Sequence, residues 1–265
     1  MNNSLINILN QDNGILRLTL DDENNKNALS EAMIGELTEA INAANDNKEV
    51  KLIIIASNGN VFCSGHNLKE ITAARNNNDK GESYFKNLFE LCSSLMYLIV
   101  SCSKPVIAEV DGIATAAGCQ LVASCDMAIS SNTAKFATPG VNIGLFCSTP
   151  MVALSRNVSK KEAMKMLLTG DMIDADEAKR ISLINDYVSD DKLEESVNNL
   201  ALKISKKSSM TVKIGKEAFY KQAEMSLSDA YAYTSVVMAQ NTLNDDAKEG
   251  ISSFIEKRDP NWQDN

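Results

Sequence analysis

Two glycine-bearing segments carry the residues best arranged for chemistry, VFCSGHNLKEI at 61–71 and VDGIATAAGCQLVASCD at 110–126. Each passes from an apolar, strand-like stretch through small residues into a helix-like one. At such a junction the first N–H groups of the helix have no intrahelical acceptor, and small neighbours leave them open to an incoming oxygen. Donors held this way stabilise negative charge developing on a carbonyl oxygen, an effect of roughly 10²- to 10³-fold per donor. His66 is the only histidine in the chain. That excludes a histidine-cluster metal site and leaves a single histidine base, although offering a backbone N–H is the commoner role for a loop histidine. Glu90, Asn142 and Cys147 are further candidates for proton transfer, each more often a packing residue. The chain has no G-x-G-x-x-G, G-x-x-x-x-G-K-[ST], H-E-x-x-H or G-x-S-x-G, so dinucleotide, nucleotide, zincin and esterase chemistries lack their defining residues.

The flanking sequence indicates what must position these segments. Residues 4–10 and 14–20 read as a hairpin, and Ser30 opens a helix with Met33, Ile34, Leu37 and Ile41 on one face. LIIIAS at 52–57 is an unalternated apolar run, as expected of a strand covered on both sides. A long amphipathic helix over 81–100 precedes strands at 105–112, 126–130 and 135–139. From about 148 the chain reads as helices, with Ser159 and Glu162 spaced as a capping box, Asp174 and Glu177 imitating one, and a helical tail over 228–258. The expectation is an α/β core over 1–200 and a helical region over 201–265.

With 35 acidic and 26 basic residues the net charge is −9. The overall field repels polyanions, so nucleic acid is not an expected partner, whereas a small anion gripped by a few lysines is compatible with it. The six cysteines contain no CxxC pair and lie in apolar or small-residue runs. They read as reduced, buried thiols and suggest a reducing cytoplasm. No stretch has the apolar length of a membrane span, and the start of the chain lacks the pattern of a secretion signal.

In this order the two segments resemble the paired oxyanion loops of the crotonase (enoyl-CoA hydratase/isomerase) superfamily. The similarity continues through NKNAL at 25–29, FATPGVNIGL at 136–145, LLTGDMIDADEAKRISLIN at 167–185 and EGISSFIEKRDP at 249–260. The resemblance implies a crotonase-like spiral of repeated β-β-α units with a C-terminal helical trimerisation region, assembled as a homotrimer or a dimer of trimers. It implies an acyl-CoA thioester as substrate, with no permanently bound cofactor and no metal. The carbonyl would accept from the His66 and Ala117 backbone N–H groups, beside Ser64, Asn67, Leu68 and Gly118. Lys26, Ala28, Lys69, Phe254 and Lys257 would contact coenzyme A.

The family's hydratases place glutamates where this chain has Gln120 and Gly140. An amide cannot take a proton near neutral pH, and glycine has no side chain to offer. These absences resemble a subgroup trait. The leading expectation is an acyl-CoA enzyme of fatty-acid metabolism with weak or absent hydratase activity. Two alternatives are a noncatalytic acyl-CoA-binding protein and a different crotonase reaction, isomerisation or decarboxylation, with its acid drawn from Glu90 or elsewhere.

Overall fold

The structure, a computed structural model, describes residues 4–264. In chain order the elements are β1 (Ile6–Gln11), β2 (Ile15–Leu20), α1 (Glu31–Asp46), β3 (Leu52–Ser57), α2 (Leu68–Ala74), α3 (Glu82–Ser101), β4 (Val106–Val110), β5 (Ile113–Thr115), α4 (Ala117–Ser124), β6 (Met127–Ser131), β7 (Lys135–Ala137), α5 (Pro150–Asn157), α6 (Lys160–Thr169), β8 (Ile173–Asp174), α7 (Ala175–Arg180), β9 (Asp186–Val188), α8 (Leu193–Ser205), α9 (Ser209–Ala223), α10 (Leu227–Leu243) and α11 (Asp245–Glu256). A larger sheet has the order β1-β2-β3-β4-β6-β9 and a smaller one β5-β7-β8. In the larger sheet only the β1–β2 hairpin is antiparallel.

A β-β-α rhythm explains the two sheets. β4 joins the large sheet, β5 turns into the small one, and α4 follows; β6 and β7 repeat the pattern. The preceding unit makes the same turn more weakly, Cys63 forming an isolated parallel bridge with Ala114. β3 is buried from Leu52 to Ala56, because α8 covers one face of the sheet and the main core the other. Leu193, Val197 and Ala201 of α8 pack on Ile15, Leu52, Ile54 and Ile107. On the opposite face Met33, Ile34, Leu37 and Ile41 of α1 enter the main core, and Ser30 caps that helix by accepting from the Met33 N–H at 3.1 Å.

Beyond residue 148 the helical expectation needs two corrections. Two short strands interrupt it: β8 pairs antiparallel with β7, setting Ile173 opposite Phe136, and β9 closes the large sheet beside β6. Strands of two and three residues are too short to show alternation, so their pairing partners alone define them. The tail is also two helices, because Asn244 is extended (φ −67°, ψ 151°) and separates α10 from α11. Asp174 and Ser159 do cap their helices, through the Glu177 and Glu162 N–H groups.

Two buried ion pairs tie distant elements together. The Arg17 guanidinium donates to both Glu109 carboxylate oxygens at 2.7 and 2.8 Å and to Asn198 of α8 at 3.2 Å. Lys216 of α9 donates to the carbonyls of Ile99 and Lys104, each at 2.9 Å, and to Asp126 at 2.7 Å; Asp126 also accepts from the Tyr220 hydroxyl and the Val106 N–H. Every proton of the ammonium therefore has an acceptor, and α9 is fastened to the start of β4. Lys216→Ala would strand the Asp126 charge at a cost of about 3–5 kcal/mol. Urea titration of the variant is expected to show that loss, and an unchanged midpoint would mean that the pair does not hold the tail.

Candidate active site

The two chemistry-bearing segments meet backbone to backbone. Thr115 N–H donates to the Cys63 carbonyl at 2.9 Å, and Cys63 N–H to Ile113 at 3.1 Å. A Cβ on Gly118 would lie 2.1 Å from the Cys63 carbonyl oxygen, and one on Gly65 only 2.9 Å from the Ala116 Cβ and 3.2 Å from the Ala117 nitrogen. Glycine is thus required by close approach in both segments. The early loop closes over them: Leu29 N–H donates to Gly65, Ser64 N–H to Lys26, and the buried Asn27 amide donates to the carbonyls of Asn58 and Val61 at 2.9 and 2.8 Å.

This contact brings the Ala117 nitrogen up to Gly65, the residue before His66. Neither the His66 nor the Ala117 backbone N–H has an acceptor among the described residues. Ala117 is the first residue of α4, and Ala116 before it is held at φ 51°, ψ −117°, a strained conformation for any residue with a side chain. Ala116 is fixed by its N–H bond to Ala137 of β7 at 2.9 Å. The Ala117 nitrogen that follows lies beside Gly65. Both N–H groups are thus left as unengaged backbone donors among the described residues.

Three buried side-chain atoms on these and adjoining segments have no hydrogen-bond partner. Gln120 stands one helical turn beyond Ala117, is 4% exposed, and its Oε1 has no partner; the same holds for Thr138 Oγ1 and His66 Nε2. His66 Nδ1 lies 3.2 Å from the Leu29 carbonyl. Since a carbonyl only accepts, Nδ1 carries the proton and Nε2 is a bare lone pair. Burial lowers the imidazole pKa from its ordinary value, the Leu29 carbonyl opposing this. Burial also pushes the Cys63 and Cys119 thiols up to about 12 and raises that of Cys147.

Gly140 is the second residue of a 3-10 turn, Pro139–Ile143. A Cβ there would lie 2.5 Å from the Leu145 carbonyl oxygen and 2.8 Å from Cys147 Sγ. The seat is therefore filled by backbone and a thiol, so a glutamate could not simply be restored. Asn142 is exposed with its amide toward Gly170, and Glu90 is exposed on α3.

Of the remaining sequence candidates, Asn67 caps α2 by accepting from Lys69 N–H at 3.0 Å, and Leu68 is 53% exposed. Lys69 Nζ reaches Asn25 at 3.3 Å, which sets it beside exposed Lys26 and buried Ala28. Phe254 and Lys257 lie on and just beyond α11, which packs on α9 and α10. No described hydrogen bond joins them to the loops. Sequence reasoning overlooked Asn27 and Thr138, and also Phe89, whose ring meets His66 edge-on at 5.3 Å. Asn27 sat inside a recognised motif, and its polar type amid NKNAL was the available signal.

The free cysteines number six and all are buried. Among the described residues no three His, Cys, Asp or Glu side chains cluster as metal ligands, and no helix is long and apolar enough to cross a membrane.

Comparison with known proteins identifies the family. The model of the enoyl-CoA hydratase/isomerase family matches residues 10–265, and the chain belongs to that family, the crotonase superfamily. Enoyl-CoA hydratase domain-containing protein 3, mitochondrial, of Xenopus laevis is 48% identical over 255 residues, 96% of this chain and 85% of that protein. The human protein of the same name is 45% identical over 249 residues, 94% and 80% of the two chains. A crystal structure of human enoyl coenzyme A hydratase domain-containing protein 3 superposes with a TM-score of 0.92 at 44% identity, covering 97% of this chain and all of that one (100%). An enoyl-CoA hydratase structure from Mycobacterium smegmatis gives 0.93 at 43%, covering 97% and 98%. The chain falls in the subgroup of domain-containing protein 3, within the crotonase fold.

These names overturn the cytoplasmic expectation. The five relatives between 43% and 48% identical are all named mitochondrial. Buried reduced thiols report a reducing environment or simple inaccessibility and do not distinguish compartments.

Two substitutions test the geometry. Gly118→Ala and Gly140→Ala each force a methyl into backbone, and each is expected to lower stability by about 1–3 kcal/mol, read as a shift in thermal midpoint. Unshifted midpoints would mean that the loops stand further apart than described.

Proposed function

We propose that the protein binds an acyl-CoA thioester and polarises its carbonyl between the His66 and Ala117 N–H groups, as an enzyme of fatty-acid metabolism whose hydratase activity is weak or absent. The observation that carries this reading is the pair of unacceptored donors set together by Gly65 against Ala117. Coenzyme A is held by Lys26 and Lys69 at the loop mouth, Ala28 beside them, with Ser64, Asn67, Leu68 and Gly118 around the thioester. No resident cofactor or metal takes part in this reading.

Phe254 and Lys257 fit it as contributions from a neighbouring copy in a trimer or dimer of trimers. The region 201–265 supports that assembly through exposed apolar side chains: Leu227 is 76% exposed, Leu243 75% and Phe254 85%. Faces of this kind call for a protein partner.

Each lost proton-transfer group costs roughly 10²- to 10⁴-fold, so two losses put crotonyl-CoA hydration on the order of 10⁴-fold or more below a glutamate-bearing hydratase. A spectrophotometric assay of crotonyl-CoA, with calorimetric binding of the same compound, is expected to give binding with slow turnover. Rapid turnover would contradict the loss of both acid–base seats. The filled seat at Gly140 favours a second reading, a noncatalytic acyl-CoA binder. Tight binding with no turnover of enoyl, hydroxyacyl and malonyl-type thioesters would select it.

A further inference from the structure

The site retains one group able to exchange a proton near neutral pH. Gln120 Oε1 and Thr138 Oγ1 are buried and unpartnered, but an amide and an alcohol do not hold a proton in that range. The thiols of Cys63, Cys119 and Cys147 are pushed upward by burial and stay protonated. Glu90 is exposed. His66 differs from all of these. Its Nδ1–H is committed to the Leu29 carbonyl at 3.2 Å, Phe89 stands edge-on against the ring, and Nε2 is buried with no donor facing it. A buried acceptor left bare is destabilising unless a ligand or water completes it. In the acyl-CoA reading the same residue's backbone N–H is one of the two carbonyl donors, so the imidazole belongs to a residue that touches the thioester.

We propose that the His66 imidazole is the proton-transfer group of this site, Nε2 taking a proton from C2 of a bound acyl thioester and returning it. The C2–H bond breaks and an N–H bond forms. The C2–H electron pair becomes the C1–C2 double bond, and the carbonyl π pair moves to the oxygen, which the His66 and Ala117 N–H groups hold. Returning the proton to C2 restores the thioester, so no oxidant or co-reactant is needed. Leu29 and Phe89 act as positioning residues, fixing the tautomer and the ring plane. This inference rests on the acyl-CoA reading above.

No charge competes for the ring. On α1, Glu31 accepts from Asn87; on α2, Glu70 accepts from Asn67 and Tyr84; on α3, Glu90 faces solvent; and on the loop Cys63 is a neutral thiol. Burial, opposed by the Leu29 carbonyl, is what acts on His66.

Butyryl-CoA in D2O, followed by mass spectrometry for deuterium at C2, tests the assignment. Exchange is expected to exceed that of the free compound and to rise with pH through a midpoint below 6.5, where Nε2 becomes bare, then level off. His66→Gln, which keeps the backbone N–H, is expected to bind butyryl-CoA within a few-fold of the parent by calorimetry and to lose about 10²-fold or more of the exchange. Because the chain has one histidine, a 15N-histidine NMR spectrum reports His66 alone. It is expected to show the Nδ1–H tautomer and to shift when butyryl-CoA is added. Binding with no exchange, or exchange unchanged in His66→Gln, would overturn this proposal while leaving the acyl-CoA reading intact. Absence of butyryl-CoA binding to the unaltered protein would overturn both.

Discussion

The site depends on one steric constraint, the backbone contact between two loops that leaves no space for a Cβ. Gly118 under the Cys63 carbonyl and Gly65 against Ala117 N bring two helix-opening segments closer than side chains permit. Everything chemical follows from that approach. It leaves two N–H groups without acceptors, and one of them directly follows Ala116, strained and bonded to β7. The spiral of two sheets holds β5 beside both Cys63 and β7, and so supplies the frame in which this strained turn is stable.

In the proposed reading the two backbone donors are kept while Gln120 and Gly140 stand where a hydratase would carry acids. At Gln120 the change alters chemistry and leaves the shape alone, since an amide fills the space of a carboxyl group. At Gly140 shape has changed as well, with the Leu145 carbonyl and Cys147 thiol closing on the position a side chain would need. A hydratase pocket merely stripped of its glutamates would have kept room there. The local packing has instead adapted to having no side chain, and the buried unpartnered polar atoms include those of His66, Gln120 and Thr138.

Much of this was legible in the residues. Long elements announced themselves: the alternation of GILRLTL, the apolar run LIIIAS and the 3.6-residue pattern after Ser30 all correspond to elements found. The paired glycine segments marked the place where the two loops approach, because small residues at strand–helix junctions permit close backbone contact. Properties set by distant partners stayed hidden. β8 exists because β7 lies beside it, and the break at Asn244 rests on one residue's ψ. The filled seat at Gly140 depends on a turn closing five residues later, and the His66 tautomer on a carbonyl from another loop. Compartment could not be read from cysteines, because burial alone explains why all six are free.

The account turns on whether His66 and Ala117 N–H groups together grip a thioester oxygen. Isotope-edited infrared spectroscopy of butyryl-CoA carrying 13C at the carbonyl reads that grip directly, since donors aimed at the oxygen weaken the C=O bond. The expected result is a carbonyl stretch at lower frequency in the complex than in water, because two fixed donors in a dry site exceed what mobile water provides. A bound carbonyl at or above its solution frequency would contradict the account, however tightly the ligand binds.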